Sequence, residues 1–402
     1  IDRKQGSLAY ATFQKGIIEG LLGEPYEKIL TLKEVLKYGP SEYADDALQQ
    51  LGETYLELEN TDNSYSSFLE LTNKYPNSPL RNGALIKLGL IAYNKGDMNT
   101  AISHYKAVFQ NKPAAREAES ALLGLQEIYI NDLGKSEEYV EFVSNLPGYK
   151  INEAAADSLA YVVGAIRYNE GEYEKAVSGF NNYLAKYPNG LNQANALYFR
   201  GESYTLLKKY DQALADYDKL VSIKASQYFT ASLKKAAVIS YNHTQDFAKA
   251  FRYYDQYHNA VSDEDEKYNA SAGALRSAFR IADNEGIKKY APLVIESKKA
   301  GNDDKAAAWY YLAKTYYRIN DLQKAYEAFD KSGQLAANNQ AAESRYMMAE
   351  IQYKLNNVQK AEDLCNKAND LNASYPYWIA RSLILLSDIY NGKKDLFNAR
   401  AA

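Results

Sequence analysis

A single cysteine, Cys365, stands among 402 residues, and that excludes an internal disulfide. Such scarcity fits the cytoplasm and equally a periplasmic protein that avoids thiols. There are three histidines, His104, His243 and His258. None has a second ligand at metal spacing such as i+4, so neither a metal site nor a cofactor is expected. No apolar run approaches the roughly 18 to 20 residues that cross a bilayer, so no transmembrane segment is expected. Neither sign of charge dominates: 47 Lys and Arg against 51 Asp and Glu leave a net charge of -4. That balance gives no ground for bulk nucleic-acid or anionic-membrane binding. A phosphate-binding glycine loop needs a preceding strand, and no segment reads as one. No signal peptide is present. The chain opens on Ile1 rather than Met, so a preceding segment is expected to have been removed, and the absence says nothing of compartment.

What is present is ordinary globular composition, 46% hydrophobic and 24% charged, enough for an extensive core. The aromatic content is lopsided: 38 Tyr against 12 Phe and 2 Trp. Tyrosine joins an apolar ring to a polar tip, which suits half-buried positions. Much surface is therefore expected to be neither core nor fully solvated.

The chain repeats itself. Small residues recur at Gly16, Gly52, Gly89, Gly164, Gly201, Ala313, Ala349 and Ser387, with weaker members at Gln126, Val238 and Arg276 filling a period near 37. Twelve residues on, a second small residue recurs, as at Ser64, Ala101, Ala176, Ala213, Ala250, Ala325 and Ala361. Four further on stands an aromatic: Phe68, Tyr105, Phe180, Tyr217, Tyr254 and Phe329. Proline follows 24 residues after the first anchor, at Pro40, Pro76, Pro113 and Pro188. A small residue lets two helices approach; the ring one turn later fills the space beside the contact; proline ends the second helix. Asn77 or Ser78 is expected to cap the next helix. Each unit is thus a helix hairpin that cannot bury its apolar face alone, and stacking buries the faces in a continuous core. The fold predicted is all-α, a right-handed solenoid of about eleven hairpins running through 1–402. Glu138 with Pro147, and Lys288 with Pro292, break the pattern, so irregular points are expected near 131–157 and 282–304. Pro292 should delay or kink its helix. Cys365 takes the place of a packing aromatic and reads as a small buried hydrophobe.

On Trp309-x2-Leu312-Ala313-x2-Tyr316 with Ala325-x3-Phe329, on Leu51-Gly52-x2-Tyr55, and on Gly171-x-Tyr173-x2-Ala176-x3-Phe180, the chain resembles the tetratricopeptide repeat family. Its period of about 37 departs from the family's usual 34. Its Tyr-Pro-Asn-Ser links resemble those of bacterial envelope members, outer-membrane assembly lipoproteins and Tol–Pal-associated proteins. That implies a periplasmic or outer-membrane-associated location, with the cytoplasm as alternative. The family resemblance implies a non-enzymatic scaffold whose first helices line a concave groove for a partner protein or peptide. Members that grip a C-terminal carboxylate do so with Lys and Asn; only Lys235 stands at such a place here, so that mode is rejected.

Tyrosines hold the groove places instead. Tyr161 and Tyr168 are seven apart, Tyr198 holds the Tyr161 place one unit on, and Tyr310 with Tyr317 and Tyr346 with Tyr353 repeat the spacing. Residues seven apart share a helix face. These seven are the candidate partner-binding residues, expected as two aromatic patches. The plainer reading packs them between helices; a rival function has them stack on a glycan or other polymer. The acidic run 263–266 reads as a solvated loop, and Asp45-Asp46 and Asp303-Asp304 as helix starts. The last unit ends without a capping helix, so continuation beyond Ala402, or self-association through that end, is expected.

Overall fold

The computed structural model describes residues 3–39 and 42–402, with side chains from Ser7. Pro40, one of the four anchoring prolines, lies outside the described residues. Every regular element described is helical, and the chain separates into two compact units, Ile1–Gln193 and Ala194–Ala402.

The first unit holds α1 (Arg3–Leu21), α2 (Pro25–Lys37), α3 (Ala44–Glu57), α4 (Thr61–Lys74), α5 (Arg81–Asn94), α6 (Met98–Val108), α7 (Ala115–Gln126), α8 (Ser136–Ser144), α9 (Glu153–Asn169) and α10 (Tyr173–Lys186). The second begins at α11 (Gln193–Leu206) and continues with α12 (Tyr210–Ser222), α13 (Phe229–Asn242), α14 (Phe247–Ala260), α15 (Glu264–Arg280) and α16 (Asn284–Glu296). It closes with α17 (Asn302–Arg318), α18 (Leu322–Leu335), α19 (Asn339–Lys354), α20 (Val358–Leu371), α21 (Pro376–Gly392) and α22 (Leu396–Ala401). Odd and even helices pair as hairpins.

A left-handed residue marks each turn between paired helices: Gly23, Glu59, Gly96, Gly134, Gly171, Lys208, Gln245, Ala282, Asn320, Asn356 and Lys394. Their spacing is 36 to 38 residues. The residue that follows often caps the second helix. Asn60, Asp97, Asp246, Asp283, Asp321 and Asp395 each accept a backbone N–H from the first turn. Such caps are worth about 1 kcal/mol each. The loop Asn77-Ser78 does not cap; Ser78 Oγ accepts the Leu80 N–H at 3.1 Å, and α5 begins at Arg81.

The small-residue anchors sit where helices meet. A Cβ on Gly52 would come within 2.5 Å of the Phe68 ring, one on Gly89 within 2.7 Å of Tyr105, and one on Gly164 within 2.6 Å of Phe180. Ser64 Oγ, opposite Gly52, donates to its carbonyl at 2.8 Å. Phe68, Phe180, Tyr217, Phe329 and Cys365 are fully buried, and burial pushes the Cys365 thiol up to about 12.

Two of the three weak anchors were misplaced, while Val238 keeps the common distance of seven residues from its turn residue Gln245. Counting from the turns, the eighth hairpin's anchor is Leu275 rather than Arg276, which is exposed. Its second helix then presents Ile287 and Ala291, both fully buried, rather than Lys288 and Pro292. The fourth hairpin shifts likewise: a π-helical turn over Glu127–Asp132 absorbs one residue, and Tyr139 and Val143 take the buried places. Helix α16 starts in register at Asn284, capped by Asp283, and carries Pro292 inside it; it does not start late. The fourth hairpin is the irregular one, since α8 has nine residues and stops before Pro147.

The Tyr187-Pro188-Asn189-Gly190 link is held from beneath. Buried Asp157 accepts the Tyr183 hydroxyl at 2.9 Å, the Leu191 N–H at 2.9 Å and the Asn192 amide at 3.0 Å. A Cβ on Gly190 would lie 2.1 Å from Asp157 Oδ2. Only glycine lets the link descend so close to the carboxylate.

Candidate binding face

In the second unit the first helices of successive hairpins are joined by tyrosine hydroxyls. Tyr310 on α17 donates to Glu343 on α19 at 2.8 Å, and Lys314 donates to the same carboxylate at 2.8 Å. One turn further, Tyr317 donates to Glu350 at 2.7 Å. Lys354 bonds the Tyr317 oxygen and lies 3.4 Å from Glu350. Arg381 on α21 donates to the Tyr346 hydroxyl at 3.0 Å. The same device recurs between α15 and α17, where Tyr268 donates to Asp304 at 2.5 Å. It recurs on second helices too: Tyr290 donates to Asp255 at 2.6 Å, and Tyr253 to Asp218.

These bonds explain the tyrosine content. The ring packs between hairpins while the hydroxyl reaches a carboxylate about one repeat away. A hydrogen bond to a charged group contributes roughly 1.5–3 kcal/mol, and a phenylalanine there would leave the acid without that donor. Burial raises the Tyr310 phenol well above its ordinary value, with Glu343 adding to the shift, and raises Tyr346 to about 12. For Glu350, burial alone would raise the carboxyl, but hydrogen bonds from Tyr317 and Tyr346 outweigh it and hold the group below its ordinary value.

The seven tyrosines selected by spacing divide accordingly. Tyr310 and Tyr346 are buried, 7% and 5% exposed; these two are packing residues rather than open contacts. Tyr353 is exposed at 37%, and Tyr317 is half-buried with its ring edge under Lys354. In the first unit Tyr161 is half-buried, its ring 5.8 Å from Phe180 and 5.9 Å from Tyr183, and Tyr168 is half-buried 5.9 Å from Tyr173. Tyr198 belongs to the second unit, where its ring stacks on Tyr228 at 4.2 Å.

Spacing of aromatics missed the cations beside them. Arg276 and Arg280 on α15 stand one turn apart, as do Lys314 and Arg318 on α17. Both pairs keep the same distance from their turn residues, Ala282 and Asn320. Lys354 on α19 continues the second row. The signal lay in the fourfold spacing recurring one period on.

Lys235, which alone suited a carboxylate grip, is paired with Glu202 at 2.9 Å. The one serine–histidine contact with a familiar look is Ser271 Oγ, 2.9 Å from His258 Nδ1. That hydroxyl is buried and also lies 2.8 Å from the Lys267 carbonyl, which competes with the ring for its one proton. Among the described residues no group of His, Cys, Asp or Glu is arranged to hold a metal ion. No helix among them is long and apolar enough to cross a membrane.

Residues 46–78 and 164–228 match tetratricopeptide repeat models, and residues 291–368 match the model for anaphase-promoting complex, cyclosome, subunit 3. No curated protein matches the chain. Among solved structures it is similar to that of Naa15/Naa10 bound to HypK-THB, at 16% identity over 97% of this chain, with a TM-score of 0.39. The chain spans 62% of the length of that relative. It is also similar to yeast Tom70, at 13% identity over 98% of this chain and 90% of that one, with a TM-score of 0.30. A tetratricopeptide repeat protein from Parabacteroides merdae shares 15% identity over 77% of this chain and 98% of its own, with a TM-score of 0.25. The chain therefore contains tetratricopeptide repeats, matched over residues 46–78 and 164–228.

Proposed function

We propose that the chain is a non-enzymatic scaffold that holds a protein or peptide partner on the face made by the first helices of its hairpins. The observation that carries this reading is the row on α17, α19 and α21. There the bonds of the Tyr310 and Tyr317 hydroxyls to carboxylates, and of Arg381 to the Tyr346 hydroxyl, tie successive first helices together, and Tyr353, part of Tyr317 and the flanking cations remain open to solvent. Rigid aromatic rings give large contact area for little rotamer entropy. Tetratricopeptide repeats generally mediate protein–protein interactions, which agrees. The Tyr-Pro-Asn links favour a bacterial envelope setting, periplasmic or outer-membrane-associated.

Tyr317→Ala combined with Tyr353→Ala tests the reading. Partner capture should weaken by about 1–3 kcal/mol for each true hot spot. Since Tyr317→Ala also removes the bond to Glu350, worth roughly 1.5–3 kcal/mol of stability, capture is compared at a temperature where the variant is still folded. Unchanged capture would remove these two rings from the binding face.

A further inference from the structure

The cations on the second unit's first helices exceed what the fold needs. Arg276, Arg280 and Arg318 are exposed, and none takes part in an ion pair among the described residues; Lys314 and Lys354 do. Basic residues in a last helical turn complement the helix dipole, which accounts for Arg280, Arg318 and Lys354. It does not account for Arg276 and Lys314, a turn earlier. Neither α13 nor α21 carries a basic residue in its last turn. At these two places of the hairpin, six and two residues before the turn residue, the cations are confined to α15, α17 and α19 among the second unit's first helices.

Its elements are contiguous. Phe279 on α15 stacks on Tyr311 of α17 at 4.0 Å. Arg276 and Arg280 lie close enough to Tyr311 to oppose the burial that raises its phenol. Lys314 reaches Glu343, and Lys354 reaches back to Tyr317 beside Arg318. An aromatic floor thus carries guanidinium groups that no ion pair among the described residues holds, Arg276 and Arg318 among them and Arg280 over the Phe247 ring at 5.2 Å, in a repeat set by the stacking of the hairpins.

We propose that this face receives an extended acidic peptide segment of the partner, with carboxylates at about every third residue; the proposal rests on the scaffold reading above. Guanidinium groups recognise carboxylates bidentately, and here no carboxylate of the chain competes for three of them. Packed helices lie roughly 8–10 Å apart. A peptide in the extended polyproline-II form has three residues per turn and advances roughly 3.1 Å per residue, so every third side chain returns to the same face about 9 Å on and meets the next helix. A nucleic acid fits less well. Glu343 and Glu350 share the face, and a polyanion charged at every residue meets them where a peptide with carboxylates at every third residue can pass them by.

The test uses the full chain and a fluorescein-labelled peptide of about twelve residues with Glu at every third place. Its Lys counterpart and a single-stranded oligonucleotide of similar length serve as comparisons. Fluorescence anisotropy at low salt should show binding of the Glu peptide alone. R276E combined with R318E should weaken it by at least about tenfold, and Arg252→Glu on α14 should leave it unchanged. Both arginines are exposed, so melting should not move; R276Q with R318Q gives the same direction if the reversals do disturb folding. Failure of the wild-type chain to bind, equal binding by the double variant, or tighter binding of the oligonucleotide would overturn the proposal. The scaffold reading is judged separately, by whether the Tyr317/Tyr353 variant still captures partner.

Discussion

Glu350 on α19 accepts the Tyr317 hydroxyl from the preceding hairpin at 2.7 Å, while Tyr346, one turn away on the same helix, accepts from Arg381 of the following hairpin at 3.0 Å. The Glu350 carboxylate therefore ties α19 to the preceding hairpin through the Tyr317 ring. Because its folded pKa lies below the ordinary 4.5, its stabilisation is fully present above the unfolded value. It is lost as pH falls through the folded value. Glu350→Gln should thus lower the urea midpoint at pH 7 and flatten its fall below about pH 4.5. Parallel acid profiles for the wild type and variant would show that the carboxylate carries no such role.

Three of the four second-patch tyrosines should separate by mechanism. Tyr346→Ala should cost about 3–5 kcal/mol, as for a buried aromatic. Tyr310→Phe keeps the ring but removes a donor to Glu343, at roughly 1.5–3 kcal/mol. Tyr353→Ala should lie within about 0.5 kcal/mol of wild type. Urea denaturation of the three variants checks the order.

Where the period was legible, it was legible for steric reasons. Gly52 with Phe68 and Gly164 with Phe180 are local to one hairpin, separated by 16 residues, so residue type and spacing reveal them. Arg276 was misread because an exposed side chain in an apolar-poor stretch was taken for a packing position; the turn at Ala282 sets the true register one residue earlier. The hydroxyl–carboxylate bonds were not legible at all. They join side chains 33 to 36 residues apart, and an acid at that separation looks like any solvated acid until the hairpins are stacked. That is why the buried Tyr310 and Tyr346 and the open Tyr353 carried the same sequence signature.

Ala282 takes a left-handed backbone, φ 57°, at a turn where Gly96 and Gly171 serve elsewhere. A residue with a Cβ costs about 1 kcal/mol or more in that region. Ala282→Gly should therefore raise stability by a comparable amount, read as a higher melting temperature. A lower one would mean that the unfolded chain's added freedom outweighs the relief.

Gly190→Ala places a Cβ against Asp157 Oδ2 and the Tyr183 hydroxyl. The link must then lift and break at least one bond to the carboxylate. A loss of about 1–3 kcal/mol is expected, together with faster amide exchange at Leu191 and Asn192, whose N–H groups bond Asp157 and Tyr183. Unchanged exchange there would contradict the bonding described for the link.

The most direct test of the scaffold account is site-specific photo-crosslinking. A benzophenone amino acid is placed at Tyr353 on the first helix α19 and, separately, at exposed Lys331 on the second helix α18. The account predicts that position 353 gives a discrete protein adduct and position 331 does not. Adducts at 331 alone, or none at 353 while capture persists, would contradict a partner held on the first-helix face.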